Sequence, residues 1–386
     1  MVIVSLPAVR WGIVGVGDVC EVKSGPAFYK APGSSLTAVM RRTGHLAEDF
    51  AKRHGVPKWY DNIDELLGDP EVDAVYVATP PGSHKELALR VCAAGKPCYV
   101  EKPMARSHAE CVEMVDAFKS AKLPLYVGYY RRYMPKMEYV KSVLDQGTLG
   151  QVTGVAVHLS QFRHKLPGEE IRDDWRVHAQ HAGGGLFMDL GSHTLDLLDW
   201  LLGPLKNVHG RARRVRPTTG LEDPAFHVED QVAMTFEVGD AVPCTARFNF
   251  CSAAWEDTVE VLGTHGSMTF ACFKNDQPVK VEVVARGDVR LAAPEVHEHQ
   301  GEPPQHLHQP LVEEMVEDLQ AWLAGQKAFS DGCCRSTGDS GARTARVMDD
   351  VLEEYYGGMG SRDGAFWEDP GAWDKPRTGG LSGGET

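Results

Sequence analysis

Two segments of the chain carry side chains that can handle protons and negative charge. The first, Tyr99–Pro103, reads YVEKP and places Lys102 directly after an apolar run that is typical of a buried strand. In α/β folds the carboxyl ends of parallel strands form the edge where ligands bind, so Lys102 is expected at a ligand site. Its ammonium group can stabilise negative charge that develops on a bound oxygen atom.

The second segment, residues 183–196, reads GGGLFMDLGSHTLD and predicts a glycine turn followed by an apolar helix. Asp189, His193 and Asp196 are spaced so that they share one face of that helix. On a mostly buried helix such a polar stripe must face a partner, water or a substrate. Because the unperturbed pKa of histidine is about 6.5, His193 suits the exchange of a hydroxyl proton. A hydrogen-bonded core histidine is the alternative, and for Asp196 the structural and functional interpretations have equal weight.

A glycine-rich turn near the start of the chain indicates a dinucleotide site. Residues 15–20 read GVGDVC, which supplies the first two glycines of the G-x-G-x-x-G fingerprint and a cysteine at the third position. A predicted strand precedes the turn and a predicted helix follows it, so backbone N–H groups can bind a pyrophosphate there. An ordinary strand-to-helix turn is the alternative. The residues predicted to bind the cofactor in this turn are Gly15, Gly17, Asp18 and Val19.

The residues after the second predicted strand bear on the choice of cofactor. An Asp or Glu normally binds the adenosine ribose hydroxyls at this position, but here Met40 is followed by Arg41 and Arg42. Two guanidinium groups would neutralise and hydrogen-bond a 2′-phosphate, which favours NADP over NAD. The alternative is that both arginines are solvated surface residues, and NAD remains possible.

The elements that would position these residues alternate between strand and helix in the first third of the chain. Apolar runs separated by helices of this length predict parallel strands buried on both faces, which is a doubly wound, Rossmann-type α/β domain. The predicted strands are Val9–Gly15, Leu36–Met40, Ala74–Ala78, Cys98–Val100 and Leu125–Gly128. The predicted helices run from the glycine turn through Tyr29 and over His45–His54, Ile63–Leu67 and Lys85–Ala94.

Beyond about residue 130 the strands alternate between polar and apolar residues, which predicts an α+β domain with a large, mostly antiparallel sheet. The predicted strands are Val152–Phe162, Val208–Val215, Gln231–Phe236, Cys244–Phe250, Asp257–Leu262, Ser267–Phe270 and Val279–Val284. The predicted helices are Lys136–Gln146, Gly184–Leu202, Gln309–Ala324 and Gly338–Tyr356. The expected division is a Rossmann domain over residues 1–128, a substrate-binding and oligomerisation domain over 129–356, and a flexible Gly-rich tail over 357–386.

Taken together, these features resemble the Gfo/Idh/MocA oxidoreductases. The resemblance rests on Glu101-Lys102-Pro103 and on the helix from Asp189 to His193. Supporting matches are residues 73–84, DAVYVATPPGSH, and residues 128–132, GYYRR. The resemblance covers roughly Val9–Tyr356. The cysteine at the third glycine position and the Gly-rich tail depart from the family pattern.

The resemblance implies an NADP(H)-dependent enzyme that transfers a hydride between the nicotinamide and a secondary alcohol or ketone of a sugar, polyol or related small molecule. Lys102 would lie near the nicotinamide ribose and the substrate hydroxyl, His193 would be the acid/base, and Asp189 would bind and orient the substrate. Further expected cofactor contacts are Thr79, Pro80, His84, Glu101 and Lys102. Further expected substrate contacts, for which surface or core placement is an equal alternative, are Tyr130, Arg131, Trp175 and Arg176.

Two other functions remain open within the same family pattern. An NAD-dependent glycosidase would oxidise its sugar transiently with a tightly bound cofactor, and a non-catalytic sensor would only bind the dinucleotide. Retention of Lys102, Asp189 and His193 favours catalysis over sensing. The observation that separates these functions is whether oxidised or reduced cofactor is released into solution or stays bound at a constant redox state.

Composition narrows the class of partner. The net charge is −14 and no run of Lys and Arg occurs, which argues against nucleic acid. A cytoplasmic protein is expected, because no secretory signal or membrane-length apolar stretch is visible and nine scattered cysteines fit a reducing compartment. The second sheet commonly makes oligomer contacts in the family, so a homodimer or homotetramer is expected. No metal site is expected, and a solvated loop is predicted to contain His297, His299, His306 and His308.

Overall fold

The computed structural model describes residues 8–161, 175–215, 228–284, 295–326 and 334–357, and the chain forms two compact units. Unit 1 takes its described residues from Met1–Ala105, Cys111–Met134 and Pro303–Ala342. Unit 2 takes its described residues from Arg106–Glu110, Pro135–Glu302 and Arg343–Thr386. Each unit is therefore assembled from segments that are far apart in the sequence.

Strands and helices alternate along the first part of the described chain, and a run of strands dominates the second part. The strands are β1 (Val9–Val14), β2 (Ser34–Met40), β3 (Lys58–Tyr60), β4 (Ala74–Val77), β5 (Cys98–Val100), β6 (Leu125–Val127), β7 (Val152–Ser160), β8 (Lys206–Arg213), β9 (Gln231–Val238), β10 (Val242–Asn249), β11 (Glu256–Gly263), β12 (Gly266–Phe270), β13 (Val279–Val283) and β14 (Glu295–His299). The α-helices are α1 (Asp18–Val22), α2 (Ala27–Lys30), α3 (Gly44–His54), α4 (Ile63–Gly68), α5 (His84–Ala93), α6 (His108–Ala121), α7 (Pro135–Asp145), α8 (Ala179–Ala182), α9 (Ser192–Leu202), α10 (Gln309–Leu323) and α11 (Gly338–Leu352). Short 3-10 helices lie at Pro81–Ser83, Tyr130–Tyr133 and Trp175–Val177, and a π-helical turn lies at Phe187–Gly191.

The sheet of unit 1 has six parallel strands in the order β3-β2-β1-β4-β5-β6. Every residue of β4 and β5 is buried, as expected for parallel strands that are covered on both faces. Trp11 of β1, Phe28 of α2 and Tyr76 of β4 pack together in the core. Because the strand order reverses between β1 and β4, a crevice is expected there at the carboxyl edge of the sheet, where such folds bind ligands.

The sheet of unit 2 has eight strands in the order β14-β13-β12-β11-β7-β10-β9-β8. Its neighbouring strands pair antiparallel except for β7 and β10, which are parallel. The strands alternate as predicted, since Val232 and Met234 of β9 are buried whereas Ala233 between them is exposed. Phe187 packs edge-on against Phe248 of β10 with ring centroids 5.0 Å apart, so a helical segment covers the buried face of this sheet.

The predicted fold class is confirmed, with a doubly wound parallel sheet in unit 1 and a mostly antiparallel sheet in unit 2. Strand β3 and helix α6 were not predicted. The predicted helix through Tyr29 is instead two short helices, α1 and α2. A Cβ at Gly25 would lie 2.1 Å from the Cys20 carbonyl oxygen, and Pro26 has no N–H to continue the helix. The helix predicted to begin at Gly184 starts with the π-helical turn and continues as α9.

The prediction of a solvated loop at four histidines is wrong. His297 and His299 belong to β14, where His299 stacks on Tyr139 of α7 at 4.1 Å. His306 and His308 are buried in unit 1, with 7% and 1% of their surface exposed. The segment carrying them packs against the Rossmann sheet rather than lying in solvent.

Four expectations from the sequence concern residues that the structure describes only in part or not at all. Within these ranges no group of three or more His, Cys, Asp or Glu side chains is arranged to hold a metal ion. No helix in the same residues is long and apolar enough to cross a membrane. The predicted tail beyond residue 357 and the last residue of the predicted strand Val152–Phe162 lie outside the described residues.

Candidate active site

The turn after β1 lies at the carboxyl edge of the unit 1 sheet. The Gly15 N–H donates to the Met40 carbonyl of β2 at 2.9 Å, and the Gly17 N–H donates to the Gly15 carbonyl at 2.9 Å. Gly15 has a φ of 95°, which side-chain-bearing residues rarely adopt. Gly17 is the N-cap of α1, whose first residues are Asp18 and Val19. The predicted fingerprint therefore forms the expected strand, turn and helix.

The backbone of this turn fits a pyrophosphate. A Cβ at Gly15 would lie 2.6 Å from the Thr79 methyl group, so the loops after β1 and β4 are in close contact. A Cβ at Gly17 would meet no atom within 4 Å, so the backbone there is open on one side. Phosphate oxygens can approach backbone N–H groups through that open side.

Cys20 occupies the position of the third glycine without disturbing the turn. Its thiol is fully buried, lies 3.9 Å from the Gly15 carbonyl oxygen and accepts a contact from the Ser24 hydroxyl at 3.8 Å. Burial raises the pKa of Cys20 to about 12, so the group is a neutral packing residue. The departure from the fingerprint is thus accommodated by packing.

Alanine substitutions at the two glycines are expected to separate folding from dinucleotide binding. Gly15→Ala should lower the free energy of unfolding by about 1–3 kcal/mol, because it strains a left-handed residue and collides with Thr79. Gly17→Ala should change that free energy by no more than about 0.5 kcal/mol, since its Cβ meets open space. It should still weaken binding of the reduced dinucleotide by about tenfold or more, because the methyl group occupies the open side of the turn.

Denaturant unfolding and fluorescence titration with the reduced dinucleotide measure these two effects. Each glycine variant serves as the control for the other. Equal destabilisation by both variants, or unchanged affinity in Gly17→Ala, would contradict the placement of the pyrophosphate.

Arg41 and Arg42 follow β2 at the same edge of the sheet. The Arg41 guanidinium donates from Nη1 to the Val16 carbonyl at 3.1 Å, which places it beside the glycine turn. Arg42 is exposed, and α3 begins shortly after it at Gly44. Two positive charges therefore lie at the end of β2, which is the position predicted for a 2′-phosphate contact.

The loops after β4 and β5 are joined by a buried histidine. Thr79 and Pro80 follow β4, and His84 begins α5 with no exposed surface. His84 Nε2 lies 2.6 Å from the Thr79 carbonyl oxygen, and Nδ1 lies 3.1 Å from the Pro103 carbonyl oxygen. Burial lowers the pKa of His84. His84 thus couples the Thr79 loop to the loop that carries Lys102, and its contact with a cofactor stays a prediction.

Glu101 fixes the backbone of Lys102. The Glu101 carboxylate accepts from the Tyr76 hydroxyl at 2.6 Å through Oε1 and from the Lys102 N–H at 3.1 Å through Oε2. Burial raises the pKa of Glu101. A Cβ at Gly128 would lie 3.2 Å from Glu101 Oε1, so the end of β6 also closes on this carboxylate. The half-buried Lys102 therefore emerges from a tightly packed strand end.

His308 belongs to this cluster although no sequence pattern placed it there. Its Nδ1 lies 2.7 Å from the Tyr99 hydroxyl and 3.7 Å from Glu101 Oε1. Burial, with a smaller contribution from nearby lysine charges, lowers the pKa of His308 to about 3, so the ring is neutral. His308 lies in no helix or strand, so hydrophobic periodicity could not predict its burial. The residues that bury it lie about 200 residues earlier in the chain.

Tyr130 and Arg131 follow β6, which also ends at the carboxyl edge of the sheet. The Arg131 guanidinium lies 5.4 Å from the centre of the Tyr130 ring, and that ring lies 4.7 Å from the ring of His308. These distances fit a cation–π contact on an aromatic cluster. The structure therefore places both predicted substrate contacts on the same sheet edge as Lys102.

In unit 2 the predicted catalytic residues lie where the π-helical turn joins α9. Asp189 is a half-buried residue of that turn, and His193 lies in the first turn of α9 with 4% of its surface exposed. Such π-helical turns are frequent at functional sites. Arg176 Nε lies 3.8 Å from Asp189 Oδ2, and the Arg176 guanidinium stacks on the Trp175 ring at 4.5 Å. The structure thus brings Trp175, Arg176 and Asp189 together.

A second buried carboxylate anchors the glycines that precede this turn. A Cβ at Gly185 would lie 2.2 Å from the Glu229 carbonyl oxygen, a distance that only glycine allows. The Gly185 N–H also donates to Glu229 Oε1 at 2.9 Å, and the Tyr356 hydroxyl donates to Oε2 at 2.7 Å. Glu229 was not predicted from the sequence, yet it fixes the start of the segment that carries Asp189.

Asp196, the last residue of the predicted polar stripe, has a structural partner. It is 1% exposed, and its Oδ1 lies 3.5 Å from the Thr344 hydroxyl of α11. One turn further on, Asp199 accepts from the Arg343 guanidinium at 3.0 and 2.7 Å. The end of this helix is therefore used to hold α11.

The fold and the glycine turn define a class of dinucleotide-binding oxidoreductases. A family model described as "Oxidoreductase family, NAD-binding Rossmann fold" matches residues 9–129. The model of the GFO/IDH/MocA C-terminal domain matches residues 137–269. The chain belongs to the Gfo/Idh/MocA oxidoreductase family, which confirms the resemblance inferred from the sequence.

Relatives of this chain carry names of the same class. Oxidoreductase P35 of Formosa agariphila is 32% identical over 80% of this chain and 90% of its own length. The trans-1,2-dihydrobenzene-1,2-diol dehydrogenase of Bos taurus is 33% identical over 67% of this chain and 73% of its own length. The structure of a levoglucosan dehydrogenase in complex with NADH and levoglucosan has a TM-score of 0.73 and 20% identity over 90% of this chain and 96% of that chain. At that identity the structural likeness shows the fold.

Proposed function

We propose that this chain is an NADP(H)-dependent oxidoreductase that transfers a hydride between the nicotinamide and a secondary alcohol or ketone of a sugar, polyol or related small molecule. The observation that carries this proposal is Lys102, which follows β5 at the sheet edge where the backbone of Gly17 is open to a ligand. A relative supports the substrate class, because the trans-1,2-dihydrobenzene-1,2-diol in the name of the Bos taurus enzyme carries secondary hydroxyl groups on a ring.

The roles proposed for the side chains follow from their chemistry. When bound, the nicotinamide cofactor supplies the hydride acceptor or donor. His193 takes the proton of the substrate hydroxyl during oxidation and returns it during reduction. The proposed role of the Lys102 ammonium is to stabilise negative charge that develops on a substrate oxygen, and that of Asp189 is to accept a hydrogen bond that orients the substrate.

The remainder of the substrate is proposed to contact aromatic and guanidinium groups. Trp175 offers a flat apolar face and Arg176 offers N–H donors, a combination that suits hydroxyl-rich ligands. Tyr130 and Arg131 form a second such pair in unit 1. Each pair is already stacked, so little side-chain entropy would be lost when a ligand binds.

Turnover of the cofactor tests the proposed activity. Purified protein is offered NADP or NAD with a panel of sugars, polyols and their keto forms, and the absorbance of the reduced nicotinamide is followed. The proposal requires a steady change with at least one substrate. Tight cofactor binding with no change across the panel would favour a non-catalytic sensor. Substrate cleavage at constant cofactor redox state would favour a glycosidase.

The choice of NADP over NAD is proposed from Arg41 and Arg42. The double variant Arg41→Ser/Arg42→Ser should raise the Kd for NADPH by about 10- to 100-fold, because two charge-assisted contacts to the 2′-phosphate are lost. The Kd for NADH should change by less than about threefold, since NADH lacks that phosphate. Fluorescence titration of both dinucleotides gives the ratio directly. An equal loss of affinity for NADPH and NADH would show that the arginines do not contact the 2′-phosphate.

The open face of the unit 2 sheet is proposed to pair two copies of the chain. Ion pairs make this face mixed in charge, since Arg247 of β10 pairs with Glu256 of β11 at 2.9 Å and Lys280 pairs with Glu282 along β13 at 2.6 Å. A two-fold axis would set this face of one copy against the same face of the other. A groove of about 490 Å³ crosses β8, β9 and β10 and is lined partly by small side chains, which permit close approach.

A bulky charge in that groove is expected to produce monomers. Ala233 is exposed in the middle of β9, and Ala233→Arg should lower the sedimentation coefficient from that of the proposed oligomer to that of a monomer. Ala93→Arg makes the same change at an exposed residue of α5 and should leave the sedimentation coefficient unchanged. An unaltered coefficient in Ala233→Arg would move the interface away from this face.

A reducing compartment such as the cytosol is proposed for the protein. Eight of its nine cysteines lie in the described ranges, and none of these eight is in a disulfide. Six of the eight are buried, where they act as small apolar residues. This usage is typical of proteins that are kept reduced.

A further inference from the structure

The loop between β12 and β13, residues 271–278, is held by charged side chains at both its N–H and its carbonyl groups. The carboxylate of Asp257 accepts from three successive N–H groups, those of Cys272 at 3.0 Å, Phe273 at 2.6 Å and Lys274 at 2.7 Å. Asp257 is 3% exposed and occupies an inward-facing position of β11. A carboxylate in such a place is stable only when its oxygens are fully hydrogen-bonded.

A buried lysine holds the same loop through its carbonyl groups. Lys136 of α7 is 4% exposed, and its Nζ donates to the Lys274 carbonyl at 2.7 Å and to the Gln277 carbonyl at 3.3 Å. The Gln300 side chain donates to the Asn275 carbonyl at 2.7 Å. The loop is thus fixed from β11, from α7 and from the residue that follows β14, at the cost of burying two charges.

The side chain presented by this loop touches the proposed acid/base. The ring of Phe273 meets the ring of His193 edge-on, with centroids 6.0 Å apart and planes at 77°. Phe273 is a residue of this loop and directly follows the buried Cys272. Movement of the loop backbone would therefore move the Phe273 ring. A rigid apolar neighbour restricts the rotamers of an imidazole and so fixes the direction of its nitrogen atoms.

We propose that Asp257 and Lys136 are positioning residues that hold Phe273 against His193 and thereby aim the imidazole at the substrate. The proposal rests on the proposed function, in which His193 transfers the proton. Neither residue is placed in contact with substrate. Their effect on the reaction is expected in kcat, because a misaimed imidazole impairs proton transfer more than it impairs substrate binding.

The first test replaces one carboxylate oxygen by an amide. Asp257→Asn keeps the size of the side chain but sets an NH₂ group against backbone N–H donors, so the loop must shift. It should lower kcat by about tenfold while KM changes by less than about threefold. Asp240→Asn, on the exposed β9–β10 turn, makes the same chemical change and should leave both constants unaltered.

The second test observes His193 itself, without substrate. In protein labelled with ¹³C in its histidine rings, the His193 signal is assigned by its loss in His193→Gln. Its chemical shift should move in Asp257→Asn, because the ring current of Phe273 changes, and should stay fixed in Asp240→Asn. Phe273→Leu should move the same signal. Phe273→Tyr keeps the aromatic ring, so both the chemical shift and kcat should stay at their wild-type values.

Lys136→Met keeps the proposal testable if Asp257→Asn fails to fold. It should reproduce the fall in kcat and the shift of the His193 signal, and the control Lys141→Met on the same helix should not. In folded protein, an unmoved His193 signal with unchanged kcat in either variant would overturn the proposal. A moved signal in a protein whose wild type turns over no substrate would leave the positioning intact and overturn the proposed function instead.

Discussion

Replacing Lys102 by methionine is expected to lower kcat by about 100- to 1000-fold, the scale seen when one preorganised group that stabilises an oxyanion is removed. Methionine matches the apolar stem of lysine as far as Cε but has no ammonium group to stabilise the developing alkoxide. The backbone at this position should not move, because Glu101 holds the Lys102 N–H at 3.1 Å and is itself held by Tyr76. Stopped-flow or steady-state absorbance of the reduced nicotinamide measures the change.

The matched control for this prediction is Lys119→Met. Lys119 lies on α6, is about half exposed and pairs with Asp339 at 2.6 Å, so its loss should leave kcat within about twofold of wild type. A Lys102→Met protein that binds cofactor normally and turns over at the wild-type rate would remove Lys102 from the chemistry. The family placement would survive that result, but the proposed mechanism would not.

The variant His193→Ala is expected to lower kcat by about 100- to 10,000-fold, because a positioned acid/base contributes on that scale. The side chain is 4% exposed, so its removal leaves a cavity beside Phe273 that matches imidazole in size. Added imidazole should therefore restore part of the activity in a saturable manner. The assay is steady-state turnover at a series of imidazole concentrations.

The exposed His265 supplies the control, since His265→Ala should neither lose activity nor respond to imidazole. Full activity in His193→Ala would show that another group carries the proton. Loss of activity without rescue is resolved by His193→Gln, which fills the space without titrating near neutral pH. That variant should be as inactive as His193→Ala if proton transfer is what was lost.

The strands of the Rossmann sheet were predictable because each one carries its signal within its own few residues. Strands such as Ala74–Val77 are apolar at every position and are bounded by turn residues, so their burial on both faces could be read directly. The glycine turn was equally clear, since Gly15 must take a left-handed φ and Gly17 must leave its backbone open. Helix α6 was not predicted, although its apolar residues recur at helical spacing. These residues are Cys111, Met114, Val115 and Phe118.

Other elements gave no usable local signal. Strand β3 has three residues without alternation, and its pairing is decided by the neighbouring strand β2. His308 has its burial fixed by Tyr99, which lies far away in sequence. The π-helical turn at Phe187–Gly191 changes how Asp189 and His193 face each other, and helical periodicity assumes that no such turn occurs.

The supporting residues of the site were the least predictable. Asp257 gave one hint, because the alternation of β11 puts it on the same inward face as Val259 and Val261. A charged residue in that register must have partners, but the pattern does not say that they are N–H groups of residues 272–274. Lys136 lies on a helix whose buried face is visible only once the sheet beside it is known. Tertiary contacts, not local sequence, decide these positions.

Isotope transfer tests the central claim most directly. The protein is given reduced cofactor that carries deuterium at the transferable position of the nicotinamide ring, together with the ketone form of a substrate found in the panel. We predict an alcohol product with deuterium bonded to the former carbonyl carbon, and a matching amount of unlabelled oxidised cofactor. Product that carries only solvent hydrogen at that carbon, or deuterium that never leaves the cofactor, would contradict hydride transfer as the function of this site.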